Sequence, residues 1–81
     1  MNTPTYQQLA GQPVGQQVKI QGFSLPDAVR LRLLEMGLTE GAECSVVRYA
    51  PLGDPIEVKI RGYFLSLRQD EAKGILVGRA E

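Results

Sequence analysis

The side chains able to do chemistry in this sequence are few. It holds one thiol, Cys44, no histidine, nine aspartates and glutamates, and nine lysines and arginines. A zinc or iron site of cysteine and histidine ligands cannot be assembled within such a chain. A Ser-His-Asp or Cys-His catalytic unit is excluded for the same reason. The carboxylates of Asp54, Glu57, Asp70 and Glu71 are too scattered to predict an oxygen cage for a hard cation. "GQPVGQQ", residues 11–17, has glycines but lacks the Lys-Ser/Thr pair of a phosphate-binding loop. No cofactor is predicted, and the residue types point to a binding or regulatory domain rather than an enzyme.

Contact chemistry remains, and three stretches offer it. In "RLRLLEMGLTEG", residues 30–41, arginines stand among leucines. At about 100° per residue, Leu25, Val29, Leu33 and Met36 share one arc, Arg32 falls inside it, and Leu31 and Leu34 lie on another side. A guanidinium in that position lays its stem along apolar surface, pairs with Glu35 or Glu71, or forms a docking patch with Met36 and Leu38. The second stretch is "APLGDP", residues 50–55, in which Pro51 and Pro55 pre-order a loop. Leu52 sits at its tip, Gly53 follows, and Asp54 is placed to cap the turn, so docking there would order little new chain. The third is Lys59, Arg61 and Arg68 beside Tyr63 and Phe64, read as a solvated charged face or a site for an acidic partner. Cys44 reads as a small buried residue.

The elements that must position these residues are legible from periodicity and punctuation. Thr3 to Leu9 predicts a short helical turn capped by Thr3 or Thr5, with Pro4 early in it. Gln17 to Phe23 alternates as a half-buried strand. Ser24 and Asp27 have the spacing of a capping box, Pro26 falls in the first turn, and a helix from about Pro26 to Met36 is predicted. Gly37 ends it, with Leu38 folding back onto Leu33 as in a Schellman motif. "AECSVVRYA" predicts a strand with Cys44 and Val46 on one face and Val47 and Tyr49 on the other. "IEVKIRGYFLSLR" predicts a hairpin turning at Arg61-Gly62, pairing Ile60 with Tyr63, Val58 with Leu65 and Ile56 with Leu67. All six are assigned to the buried face, with Lys59 and Phe64 outside. "QDEAKG" reads as a helical turn or tight loop and "ILVG" as a closing strand. Short strands in so small a chain predict a mainly β fold, an SH3-like barrel of about five strands with one inserted helix over an open end.

The 81 residues allow one domain, and a hydrophobic fraction of 43% suffices for a core. A net charge of zero lacks the long-range attraction to phosphate that supplies most non-specific nucleic-acid binding, so no nucleic-acid partner is predicted. One cysteine fits a reducing compartment. No apolar run approaches the roughly 20 residues that span a bilayer, and the N-terminus does not read as a signal peptide. A cytoplasmic location follows as an expectation.

The ordered set Arg32-Leu33-Leu34, Met36-Gly37-Leu38, Gly41, Ala50 to Pro55, Leu65-Ser66-Leu67-Arg68 and Glu71-Ala72 resembles the FeoA family, ferrous iron transport protein A of bacteria. "VKIQGF" fits the family's first strand, and the resemblance runs from about residue 5 to 78. It implies an SH3-like barrel and a cytoplasmic accessory of the FeoB membrane GTPase transporter, peripheral to the membrane through that partner only. The same domain is found appended to iron-dependent repressors, which is the alternative the resemblance leaves open. Transition-metal binding, also carried by the family, gains no independent support from a chain without histidine. Oligomeric state, and whether the transporter is activated or inhibited, are not legible. The expected contact residues are Pro51, Leu52, Gly53, Asp54 and Pro55 with Arg32, Met36 and Leu38.

Overall fold

A computed structural model describes residues 7–80 of the chain. The elements run β1 (Gln7–Gln8), β2 (Gln17–Phe23), α1 (Asp27–Glu35), β3 (Glu43–Tyr49), β4 (Ile56–Ile60), β5 (Tyr63–Leu67), α2 (Gln69–Lys73) and β6 (Ile75–Arg79). The strands form one antiparallel sheet in the order β1-β6-β2-β3-β4-β5. Alternate residues of the long strands enter a single core: Val18 and Ile20, Cys44 and Val46, Ile56, Val58 and Ile60, Leu67, Ile75 and Val77. For one sheet to surround one core it must curl, and bulges help it do so. One bulge interrupts β2 between Ile20 and Gly22, another interrupts β3 between Val46 and Arg48.

The mainly β fold matches expectation, with six strands in place of five and a second short helix. The hairpin register is the predicted one, Ile60 with Tyr63, Val58 with Leu65 and Ile56 with Leu67. Its turn has positive φ at both Arg61 and Gly62, the conformation that matches strand twist in a two-residue loop. Gly37 ends α1 at φ +102°, with its N–H donating to the Leu34 carbonyl and that of Leu38 to the Leu33 carbonyl, the two bonds of a Schellman motif.

Four expectations need correction. The N-terminal helical turn lies partly outside the described residues, and from Gln7 the chain is strand, paired with β6 at Val77 and Leu76. No capping box starts α1: Pro26 itself is the N-cap, and Ser24 is engaged through its main-chain N–H by the Gly74 carbonyl. Tyr49 does not share Val47's face. The β3 bulge inserts a residue after Val46, so Tyr49 lies opposite buried Ile56 and packs against the core. Tyr63 is 41% exposed rather than buried, because it follows the turn at the barrel's end.

Candidate partner-docking site

α2 is the element on which the two predicted contact stretches meet. Its first N–H, that of Gln69, donates to Asp54 Oδ1 at 3.0 Å, and the Arg68 N–H donates to Glu71 Oε1 at 3.1 Å. Two carboxylates thus satisfy main-chain donors at the start of a helix too short to be stable alone. Glu71 is 8% exposed, and its other oxygen accepts from the Arg32 guanidinium of α1. Arg32 therefore ends in an ion pair, with just over half of its side chain left in contact with solvent. Of the partners predicted for it, Glu71 is the one it takes.

The proline loop is ordered from within. The Ala50 N–H donates to the Pro55 carbonyl at 3.1 Å and the Gly53 N–H to the Ala50 carbonyl at 2.7 Å. Asp54 caps α2 rather than its own turn. With both loop ends fixed, Leu52 stands 96% exposed, the most open large apolar side chain among the described residues. Pro51, Asp54 and Pro55 are exposed and Gly53 half-buried, so this half of the predicted set is available to a partner.

The α1 half is only partly available. Leu38 has no exposed surface and belongs to the core, so it is no contact residue. Its periodic place fits a patch turned inward as well as one turned outward, and the Schellman fold-back turns it inward. Met36 is half-buried, and its carbonyl accepts from the Tyr63 hydroxyl. Arg61 donates through Nε to the Gly37 carbonyl at 3.1 Å and through a terminal nitrogen to Thr39 Oγ1. The β4–β5 turn thus clasps the C-terminal end of α1, and the cation stands where the helix dipole favours it. This clasp escaped sequence reading, which placed Arg61 on a solvated face. Leu31, assigned to another side, is exposed.

Other candidate groups stay apart from this surface. The described residues bring together no three histidine, cysteine or acidic side chains able to hold a metal. A cleft between β1, β6 and the Gly11–Gln16 segment is polar and contains none of the predicted contact residues. Cys44 is buried, and burial pushes its thiol up to about 11 by disfavouring the thiolate. The thiol should stay unreacted with an aromatic disulfide reagent at pH 8 and react fully once urea unfolds the chain. Rapid labelling of the native protein would contradict that burial.

No helix among the described residues is long and apolar enough to cross a membrane. The FeoA domain model matches residues 7–79. A fusion of Fe(2+) transport protein A with the Fe(2+) transporter FeoB, from Porphyromonas gingivalis, is 46% identical over 60 residues. That match covers 74% of this chain, which spans 7% of the fusion's length. FeoA of Chlorobium tepidum is 40% identical with a TM-score of 0.86, covering 93% of this chain and 71% of that one. FeoA of Stenotrophomonas maltophilia, solved with zinc and described as a prokaryotic SH3 domain protein, is 28% identical with a TM-score of 0.75 over 88% of each chain. The curled sheet is therefore the SH3-like fold that the sequence predicts. With nearly its whole length matched, the chain belongs to the FeoA domain family.

Proposed function

We propose that this chain is a non-enzymatic, cytoplasmic accessory of ferrous iron uptake that docks on a FeoB-type membrane transporter. The observation that carries the reading is the fused relative, in which a homologous domain and the transporter FeoB are one polypeptide. A fusion keeps two domains at high effective concentration, which is of use where they work in contact. The docking surface is the proline loop, Pro51 to Pro55, with the exposed part of α1 at Arg32 beside it. Leu52 is an apolar anchor on a loop already held in shape, so little entropy is lost when it is buried. The reading includes no nucleic-acid contact and no bound cofactor.

Leu52→Ala is the clean test of this surface, because the side chain makes no buried contact that folding needs. The variant should melt with the parent and bind the transporter's soluble G-protein domain at least tenfold more weakly, a loss of about 1.4 kcal/mol. Unchanged affinity would remove the loop from the interface. Arg32→Ala is a poorer probe, since it also leaves the buried Glu71 carboxylate without its partner.

A further inference from the structure

Among the described residues, the sheet ends in two strands that each pair on one side only, β1 and β5. β1 is two residues long, and its brevity blunts it. β5 is five residues, YFLSL, pairs with β4 without a bulge, and contains neither proline nor charge. It therefore lacks the charge, proline and bulge that commonly protect an edge strand.

The turn fixes which residues face that edge. In a two-residue hairpin the flanking residues, here Ile60 and Tyr63, exchange both main-chain hydrogen bonds. Tyr63, Leu65 and Leu67 therefore aim their N–H and C=O groups at β4, and Phe64 and Ser66 aim theirs at the open edge. Among the described residues, neither Phe64 nor Ser66 has a main-chain hydrogen bond outside the strand ladders. Both side chains are exposed, that of Phe64 on the outer face beside Lys59.

We propose that the β5 edge is a self-association surface, on which the β5 strands of two copies pair antiparallel about a twofold axis at Leu65. The occupant is a second copy because the edge is complementary to itself. With Leu65 opposite Leu65 of the second copy, Phe64 forms a hydrogen-bonded pair with Ser66 of the second copy, and Ser66 with its Phe64. All of the outward main-chain groups of both residues are then satisfied, and each large ring lies against a small hydroxyl. Within one chain Lys59 pairs with Phe64 and Glu57 with Ser66. Each outer row across the seam thus reads Lys59, Phe64, then Ser66 and Glu57 of the second copy. Unlike charges end both rows, and like charges do not meet. The two-fold arrangement closes at a dimer. A seam one short strand long falls below the size of standard interfaces, so the dimer is transient and depends on concentration.

Sedimentation equilibrium from micromolar to millimolar protein tests this, together with amide exchange. The mass should rise toward twice the monomer's, and exchange at Phe64 and Ser66 should slow in step. Ser66→Pro removes an N–H that points to the edge and not to β4, and Ser66→Lys puts a charge on the edge. Each should weaken association at least tenfold, and Ser66→Lys should leave the melting temperature unchanged. Three results would each overturn the proposal. One is a monomer at every concentration, the second is association that both variants retain, and the third is edge amides that respond only to an added FeoB G-protein domain.

Discussion

Leu38→Ala should cost about 3 kcal/mol of folding stability, within the 2–5 kcal/mol range of buried leucine truncations. Leu38 has no exposed surface and closes the Schellman turn by which α1 joins the barrel. Its removal opens a cavity in the core and deletes the apolar contact that accompanies that turn. A domain of this size holds roughly 4–12 kcal/mol in total, so the loss is a large share of it. The midpoint of thermal unfolding should fall by roughly 12–24 °C. A melting temperature within a few degrees of the parent would mean that Leu38 is a surface residue after all.

Gly74→Ala should be nearly as damaging, for the opposite reason. A Cβ at Gly74 would lie 2.3 Å from Leu25 Cδ2, 2.5 Å from Leu25 Cγ and 2.7 Å from the Ser24 carbonyl oxygen. Leu25 can turn away, but Ser24 is held by its own N–H bond to the Gly74 carbonyl at 2.7 Å. The end of the β2–β6 pairing must therefore open beside Phe23 and Ile75. Overpacking of this kind costs about 2–3 kcal/mol, read as a shifted urea midpoint. Gly22→Ala is the internal control. Nothing lies within 4 Å of its Cβ position, so it should stay within about 0.5 kcal/mol of the parent. Equal effects at the two glycines would contradict the packing described at Gly74.

These two positions also mark where the sequence is legible and where it is not. The β4–β5 hairpin was readable because turn length and side-chain alternation agree on one register. The end of α1 was readable because a glycine stop acts within a few residues of the helix it ends. What is decided by distant chain was not. Glycine at position 74 is required by Leu25 and Ser24, about 50 residues earlier, with no local pattern to announce it. The β3 bulge, which moves Tyr49 to the core side, leaves no mark in a seven-residue alternation. β1 exists only through its pairing with β6. At the candidate site, the loop's rigidity was readable from its prolines and Arg32's pairing was one of the options. The fold-back of Leu38 onto Leu33 was readable, but its burial was not, because periodicity gives the angle of the arc that holds Leu33 and Met36 and not whether core or partner lies opposite it. The Tyr63 and Arg61 clasp joins residues 22 to 27 positions apart and satisfies a helix end that the sequence leaves open.

The docking account is tested most directly by an amide spectrum of the isotope-labelled chain titrated with the soluble G-protein domain of a FeoB-type transporter. The titration would be run without nucleotide, with GDP and with a non-hydrolysable GTP analogue. The account predicts saturable shifts centred on Leu52, Gly53 and Asp54 and extending to Arg32, with the polar cleft between β1 and β6 unaffected. A spectrum unchanged in all three states, or shifts confined to residues away from the proline loop, would contradict it.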